Sequence, residues 1–259
     1  MAARPTLCNI KLTIQYDGTD YCGFERQKNG PSIQAAVEKA LQKIFKTPTR
    51  IIGASRTDAG VHACCQVVSF KTKSPIPVRR IPQALNGILP PAIRVMAASL
   101  VGPKYNPRFA AKSKTYEYLI YNGEVLNPLF NRFVWHIRPR LNIAAMKKAA
   151  KYLVGKHDFS SFCASHSNNK DPIRVLHQLV ISHSSVVIWD SCQLSVVSCK
   201  LKGNGFLYKM VRNIVGTLVE VGMGKRKPQD VKAIIDAKDR KKAGRTAPAQ
   251  GLCLVKVNE

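Results

Sequence analysis

Residues 53–63 read G-A-S-R-T-D-A-G-V-H-A and place one carboxylate, Asp58, between an arginine and a histidine. Two isoleucines precede this stretch, and a β-like run, Q-V-V-S-F at 66–70, follows it. The pattern predicts a tight loop between two strands, because glycines let the backbone turn where side chains would clash. A loop held by two strands is a good place to fix a reactive group.

Asp58 also has a plainer interpretation, in which it only forms a turn with Thr57, since aspartate often bonds the backbone of its own loop. Composition alone does not separate the two interpretations. His62, beside a glycine turn, is more simply explained as a structural residue than as an acid or base.

The charge of the chain is strongly one-sided. Its 259 residues carry 41 Lys and Arg against 15 Asp and Glu, a net charge of +26, with a pI near 10.1. Such a charge attracts polyanions, and nucleic acid is the leading candidate partner. An anionic membrane is the weaker candidate, because the sequence has no long uncharged apolar run. Solubility alone does not explain the excess, since a small domain needs a net charge of only about 2 to 8.

The eight cysteines are typical of reduced thiols in an intracellular protein, and we expect a cytoplasmic location. None of them forms a C-x-x-C pair, which argues against a structural zinc site. The sequence offers no evident site for a metal or a redox cofactor. The opening M-A-A-R-P is too short for a transit peptide, and a longer precursor with its leader removed stays open.

The first half of the chain predicts strands around a helix. Residues 11–16 alternate polar and apolar and end at the turn signal Asp17-Gly18. Ser32 is predicted to cap a helix whose apolar residues share one face. A strand at 67–71 follows the Asp58 loop, and a short helix is predicted near 81–87.

The second half repeats this order. Residues 115–121 predict a strand that ends at Asn122-Gly123, and Asn142 is predicted to cap a helix over 143–154 with Tyr152 on its inner face. The elements predicted after it are three strands, a buried helix and a last strand: 175–182, 186–189, 194–201, 210–222 and 252–257.

This order predicts an α+β protein made of two halves of related build. We place the boundary near Pro103 to Ala111. The predicted domains are an N-terminal α+β domain at 1–107, which carries the Asp58 loop, and a C-terminal α+β domain at 108–259.

Several motifs resemble the TruA-type tRNA pseudouridine synthases. R-T-D-A-G-V-H at 56–62 resembles the signature loop of the family, with Ser55 where a glycine is usual. Y-D-G-T-D-Y-C-G-F-E-R-Q at 16–27 resembles its opening segment, with Cys22 and Phe24 where His and Trp are commoner. The other matching motifs are S-K-T-Y-E-Y (113–118), D-F-S-S-F (158–162), D-P-I-R (171–174), K-M-V-R-N-I-V-G (209–216) and G-L-C-L-V-K-V (251–257).

The resemblance covers nearly the whole chain and implies a specific architecture. Two ferredoxin-like or RRM-like halves would join their antiparallel sheets, with helices on one side and a basic RNA-binding cleft on the other. It also implies a homodimer, with each tRNA lying across both subunits.

The resemblance implies three catalytic residues. Asp58 would be the nucleophile, since a carboxylate can add covalently to the base or the sugar, or stabilise a cation-like sugar. Tyr116 would stack on the uracil or take a proton from the intermediate, and a plain core role is its alternative. Arg212 lies in an otherwise apolar helix and needs an anion, which by resemblance is Asp58 and otherwise a phosphate. Tyr118 is expected on the opposite face of the strand from Tyr116, in the core.

The resemblance also implies contacts to RNA. Arg56 would hold the target base out of its stack, and ordinary phosphate binding is its alternative. Leu252 would line the uracil pocket, although a single strand leucine is more simply a core residue. The remaining RNA-binding candidates are basic residues of the matched motifs and of the K-R-K run at 225–227: Arg174, Lys209, Lys225 and Arg226. A second basic cluster is predicted to extend this track unless it is only a solvated face: Lys238, Arg240, Lys241, Lys242 and Arg245.

The residues and the resemblance together predict an enzyme, a tRNA pseudouridine synthase that needs no cofactor. By resemblance it would isomerise uridines at tRNA positions 38–40 in the anticodon stem-loop. The first alternative is a non-catalytic RNA-binding protein that uses the same cleft. The second is a glycosidase-like hydrolase, which usually needs two cooperating carboxylates, and no second Asp or Glu lies near Asp58 in the sequence.

Overall fold

Ten strands and six helices make up the part of the chain described by the computed structural model, which is residues 7–73, 76–164, 171–189 and 192–259. The strands in chain order are β1 Cys8–Tyr16, β2 Ile52–Gly53, β3 His62–Thr72, β4 Ile93–Val101, β5 Ser113–Asn122, β6 Trp135–Ile137, β7 Gly155–Asp158, β8 Ile173–Trp189, β9 Cys192–Gly203 and β10 Leu252–Asn258. The helices are α1 Ile33–Phe45, α2 Ile81–Asn86, α3 Pro107–Ala110, α4 Ile143–Ala150, α5 Met210–Gly222 and α6 Asp230–Ala237. This mixed composition, with largely antiparallel strand pairing, confirms the predicted α+β class.

The chain forms two compact units. Unit 1 comprises Met1–Lys112 together with Leu254–Glu259, and unit 2 comprises Ser113–Cys253. Most of β10 therefore belongs to unit 1, although it comes last in the sequence.

The strands of unit 1 follow the order β4-β1-β3, with residues 254–258 of β10 next to β3. In the antiparallel register, Leu12 of β1 lies opposite Val68 of β3. The short strand β2 also pairs with β3, where Gly53 lies opposite Val68. Residues 54–61 must therefore connect two strands that are hydrogen-bonded to each other, which confirms the predicted loop around Asp58.

Helix α1 packs its apolar face into the core of unit 1. Ser32 caps the helix as predicted, because its side chain accepts a hydrogen bond from the Ala35 backbone N–H at 3.3 Å. Glu38 is buried on the same helix and accepts from the Ile51 N–H at 3.1 Å. This bond ties α1 to the residue that leads into β2, three residues before the loop begins. The core-facing apolar residues of the helix are Ile33, Val37, Ala40 and Leu41.

The strands of unit 2 follow the order β5-β9-β8-β7, and β6 runs parallel to β5 at its edge. Tyr116 of β5 lies opposite Leu201 of β9 in the antiparallel register. Helix α5 is buried on nearly all sides and packs against α4, as the apolar pattern at 210–222 predicts. Asn142 caps α4 by accepting from the Ala145 N–H at 2.9 Å.

Three predictions about secondary structure were wrong. Residues 175–182 and 186–189 belong to one continuous strand, β8, because His183 to Ser185 keep pairing with β9. Helix α4 ends at Ala150, and a 3₁₀ turn follows it. Tyr152 in that turn is 39% exposed, so it is not an inner-face residue. Met146 and Ala150 fill the inner face instead.

No helix within the described ranges is long and apolar enough to span a membrane.

Candidate active site

The loop that carries Asp58 is anchored to β3 at its first residues. The Ala54 N–H donates to the Val67 carbonyl at 2.8 Å. Gln66, which is fully buried in β3, accepts from the Ser55 N–H at 3.3 Å and donates to the Ser55 carbonyl at 2.7 Å. Both backbone groups of Ser55 are thus satisfied by one side chain. The sequence analysis did not identify Gln66 as a residue of the site. The signal that could have indicated it is a polar residue at a buried position of an apolar strand.

The middle of the loop is held by the last residue of β1 and by the segment that follows it. The Tyr16 hydroxyl is hydrogen-bonded to the Thr57 hydroxyl at 2.8 Å in a buried position. The Thr57 carbonyl accepts from the Phe24 N–H at 3.0 Å. Gly23 has a φ of +106°, and a Cβ there would lie 2.8 Å from that same carbonyl, so a side chain would disturb the contact. These contacts give a physical reason for the motif at 16–27.

The end of the loop is a glycine turn. Gly60 has a φ of +75°, and its N–H donates to the Tyr21 carbonyl at 3.2 Å. The Val61 N–H donates back to the Asp58 carbonyl at 3.2 Å. Asp58 thus has a backbone bond in this turn, and its side chain is half-buried. A half-buried carboxylate on a backbone held at both ends is suited to a defined chemical role.

His62 lies at the start of β3 and is buried. Its Nδ1 accepts from the Gly18 N–H at 3.1 Å and lies 3.1 Å from an Asp17 carboxylate oxygen. The same Asp17 oxygen accepts from the Thr19 N–H at 3.0 Å. These contacts give His62 a structural role in the turn at Asp17-Gly18.

Arg56 is an exposed residue of the same loop. Its Nε lies 2.7 Å from a carboxylate oxygen of Glu25, and both side chains are about half exposed, at 59% and 47%. Exposed ion pairs of this kind contribute little free energy, about 0 to 1 kcal/mol. A phosphate group can therefore compete with Glu25 for the guanidinium at small cost.

Tyr116 and Tyr118 lie on the buried face of β5 in unit 2. Burial alternates along the strand, so these two tyrosines share a face, and the prediction that Tyr118 points to the opposite face was wrong. Tyr116 packs edge-to-face on Phe206 with 5.2 Å between ring centroids. Tyr118 is a core residue as predicted, and its hydroxyl donates to the Pro248 carbonyl at 2.7 Å. Burial raises the pKa of Tyr118, and the charge of Arg212 opposes that rise.

Arg212 lies in the first turn of α5 and is half-buried. Its Nε donates to the Ala247 carbonyl at 2.7 Å, and the Ala247 N–H donates back to the Arg212 carbonyl at 3.1 Å. The bond from Nε fixes the orientation of the guanidinium, and the second bond holds Ala247 against the backbone of Arg212.

The predicted RNA-binding residues of unit 2 differ in their surroundings. Arg174 lies at the start of β8, and its side chain folds back on the preceding residues, where Nη1 donates to the Asp171 and Ile173 carbonyls at 3.0 and 2.6 Å. Lys209 directly precedes α5 in a left-handed conformation, with φ +57°, and its Nζ lies 5.0 Å from the ring centroid of Tyr208. Leu252 is buried at the start of β10.

The K-R-K run begins just after α5. Lys225 is exposed, whereas Arg226 donates from Nε to a carboxylate oxygen of Glu220 at 2.6 Å. Burial acts to raise the pKa of Glu220, but the bonds from Arg226 and from the Arg245 N–H outweigh it and lower that pKa overall. Arg226 therefore has a structural partner in addition to its predicted role.

One part of the second basic cluster does not form a solvated face. Arg240 is half-buried and bonds to the protein through both terminal nitrogens, and Arg245 lies over the Trp135 ring at 4.6 Å. Lys241 and Lys242 are exposed. The alternative of a plain solvated face therefore does not hold for Arg240, whereas Arg245 is exposed like the two lysines. The extension of the RNA track by this cluster stays a prediction.

The two units hold different parts of the predicted set. Unit 1 carries Asp58 and Arg56. Unit 2 carries the other predicted residues: Tyr116, Arg174, Lys209, Arg212, Lys225, Arg226 and Leu252. Within the described ranges, no three or more His, Cys, Asp or Glu side chains form a group that could hold a metal ion.

Comparison with known proteins identifies relatives over nearly the whole length of the chain. A family model described as tRNA pseudouridine synthase matches residues 12–110 and 149–258. The tRNA pseudouridine synthase A of Thermoanaerobacter sp. (strain X514) is 45% identical over 249 residues, covering 96% of this chain and 98% of that protein. The protein of the same name from Geobacter sulfurreducens is 44% identical over 248 residues, with the same coverage.

Solved structures give weaker comparisons. A crystal structure of an unknown protein from Galdieria sulphuraria covers 83% of this chain and 92% of its own at 11% identity, but its TM-score of 0.22 supports no conclusion.

Proposed function

The chain belongs to the tRNA pseudouridine synthase family and isomerises uridine to pseudouridine in tRNA, and we propose that it does so in the anticodon stem-loop with Asp58 as the nucleophile. The reaction breaks the bond from the ribose to a ring nitrogen of uracil, turns the base, and rejoins it through a ring carbon. Reactant and product have the same atoms, so the step needs no oxidant or second substrate. One carboxylate that adds to the base or the sugar suits such a reaction.

The observation that carries this proposal is the anchoring of Asp58. Backbone bonds hold the loop at Ala54, Thr57 and Gly60, and the buried Gln66 side chain satisfies both backbone groups of Ser55. Such anchoring fixes the backbone that carries the carboxylate, which supports the proposal because a pre-positioned group lowers the entropic cost of reaching the transition state.

Arg212 and Tyr116 complete the proposed catalytic set. Arg212 pairs with Asp58 in this proposal and keeps it ionised and oriented. Support comes from the orientation of its guanidinium by the Ala247 carbonyl at 2.7 Å. Tyr116 stacks on the uracil or accepts a proton from the intermediate, and Leu252 lines the pocket beside it.

RNA binding is proposed to depend on charge more than on sequence. The net charge of +26 favours a polyanion, and such binding reads the shape and backbone of folded RNA. Arg56 is proposed to hold the target base out of its stack, since its exposed partner Glu25 is easily replaced. The other proposed contacts are Arg174, Lys209, Lys225 and Arg226.

The larger architecture is also part of the proposal. We infer two ferredoxin-like or RRM-like domains, 1–107 and 108–259, whose sheets join to form a basic cleft. We further propose a cytoplasmic homodimer with each tRNA lying across both subunits.

Mapping of modified positions tests the proposed substrate region. Purified protein is incubated with unmodified tRNA transcripts, and pseudouridine is located by chemical mapping. We expect modification only on the 3′ side of the anticodon stem-loop, with loss of product when those uridines are changed to cytidine. Modification confined to another arm of the tRNA would refute the anticodon stem-loop as the substrate region.

A further inference from the structure

The segment at 240–247, which we name the strap, is bonded along helix α5. The Gly244 N–H donates to the Thr217 hydroxyl at 2.9 Å, and the Arg245 N–H donates to Glu220 at 2.9 Å. At its end, the Ala247 N–H donates to the Arg212 carbonyl at 3.1 Å. The strap is therefore fixed to three successive turns of the helix.

Gly216 permits this close approach. A Cβ at this position would lie only 1.7 Å from the Arg245 carbonyl oxygen. The helix and the strap thus meet backbone to backbone, and the position of the strap depends on that contact.

Arg240 is the first residue of the strap. Its guanidinium bonds to later residues of the strap and to one residue of helix α5. Its Nη1 donates to the Gly244 carbonyl at 2.9 Å and to the Ala243 carbonyl at 3.3 Å. Its Nη2 donates at 3.0 Å to two oxygens, the Asn213 side-chain carbonyl and the Thr246 hydroxyl. All four acceptors are neutral oxygens.

Asn213 is the point on the helix to which this guanidinium is attached. Its side chain is fully buried, and its Oδ1 also accepts from the Thr246 hydroxyl at 2.6 Å. Its Nδ2 donates to the Phe162 carbonyl at 2.7 Å, so the amide cannot turn freely.

Arg240 is a half-buried cation whose four hydrogen-bond acceptors are neutral, and the nearby charge of Glu220 offsets the cost of its desolvation only in part. Burial lowers the pKa of Arg240, which reflects the desolvation of its charge. A planar guanidinium can bond several oxygens in a fixed geometry, whereas a lysine is a point charge on a flexible stem. The residue therefore supplies orientation more than binding energy.

We propose that Arg240 is a positioning residue for the reaction. Through Thr246 and the strap it fixes the Ala247 carbonyl, and that carbonyl orients the Arg212 guanidinium at 2.7 Å. This inference rests on the proposed catalytic role of Arg212. Small displacements of a catalytic group slow a reaction strongly, by about 100-fold for a shift of 1 Å.

The test compares single-turnover pseudouridine formation at saturating tRNA with tRNA affinity, at a temperature where each variant is folded. Arg240→Gln and Thr246→Val each remove bonds of this network. We expect both to slow the chemical step by about tenfold or more, with the Kd for tRNA changed by less than about twofold. Thr246→Val decides the question if Arg240→Gln does not fold.

Matched controls separate positioning from general weakening. Thr246→Ser keeps the hydroxyl and should react at close to the wild-type rate. Arg94→Gln removes an arginine that also bonds two backbone carbonyls, those of Pro90 and Ile93, in unit 1, and it should leave the rate unchanged. In an Arg212→Lys background, Arg240→Gln should cause no further slowing, because it acts through Arg212.

The outcomes distinguish this inference from the proposed function. If Arg212→Ala abolishes the reaction while folded Arg240→Gln and Thr246→Val react at the wild-type rate, the positioning role is refuted and the catalytic set stands. If Arg212→Ala itself reacts normally, the proposed role of Arg212 fails first. A loss seen only as weaker tRNA binding would also overturn the positioning role.

Discussion

Replacing Gly216 with alanine would place a methyl group against the backbone of the strap. The added Cβ would lie 1.7 Å from the Arg245 carbonyl oxygen, and real Cβ atoms do not approach other heavy atoms closer than 3.0 Å. The strap must therefore move away from α5 by about 1.3 Å, because the obstacle is backbone and cannot rotate away.

Such a movement breaks the bonds between strap and helix. The bonds from Gly244 and Arg245 at 2.9 Å and from Ala247 at 3.1 Å would lengthen beyond hydrogen-bonding distance. Three bonds at about 1 kcal/mol each amount to a loss of about 3 kcal/mol. Replacing glycine with alanine within a helix stabilises the folded protein by about 1 kcal/mol, because alanine has the higher helix propensity. We therefore expect Gly216→Ala to lower the free energy of unfolding by about 2 kcal/mol.

Thermal denaturation followed by circular dichroism measures this effect, and the expected fall in Tm is roughly 4 to 8 °C. Gly87→Ala is the control, because a Cβ there would have no neighbour nearer than 3.7 Å and its φ of −72° suits any residue. We expect it to change stability by less than about 0.5 kcal/mol. A Gly216→Ala variant as stable as the wild type, or more stable, would show that the strap does not lie against α5 as described.

Three further predictions concern the stability of the Asp58 loop, the loss of stability at acid pH and the salt dependence of tRNA binding. Gln66→Leu should lower the free energy of unfolding by about 1 to 3 kcal/mol, because it removes the two hydrogen bonds between the buried Gln66 amide and the Ser55 backbone, and urea denaturation would measure it. Because the pKa of Glu220 is lowered from 4.5 in the folded protein, the stability it contributes is present above pH 4.5 and is lost as the pH falls through the folded value. Glu220→Gln should therefore flatten the fall in stability below about pH 4.5, and an equally steep fall would contradict this assignment. The affinity for tRNA should drop steeply with salt, with a log–log slope of about −4 if some five cations contact phosphates, and a flat titration would exclude the basic cleft.

The sequence predicted the elements whose signals are local. Ser32 and Asn142 each precede an apolar helical pattern, and both cap a helix in the structure. The loop at 54–61 was predicted from its glycines and the flanking strand patterns, and β2 and β3 flank it. Helix α5 begins and ends where its apolar run does.

The features that the sequence did not predict depend on distant partners. The polar run at His183 to Ser185 interrupts the apolar pattern, but pairing with β9 keeps it extended. Arg240 belonged to a charge run in the sequence, yet its orientation depends on Asn213, 27 residues earlier. Gln66 looked like an ordinary strand residue, because nothing local indicates that its amide completes the Ser55 backbone.

The Asp58 loop has both kinds of feature, one predictable from the local sequence and one that depends on distant partners. Its position between two strands follows from the pattern, whereas its anchoring by Tyr16 and Phe24 required the tertiary structure. The same contacts explain why the motif at 16–27 accompanies the motif at 56–62.

The most direct test of the account is pseudouridine formation by Asp58→Asn measured together with its tRNA affinity. Asp236→Asn is the matched control, since it makes the same change of charge at an exposed position of α6. The account predicts that Asp58→Asn binds tRNA with nearly wild-type affinity and forms no pseudouridine, while Asp236→Asn remains fully active. Pseudouridine formation by Asp58→Asn at the wild-type rate would contradict the assignment of Asp58 as the nucleophile.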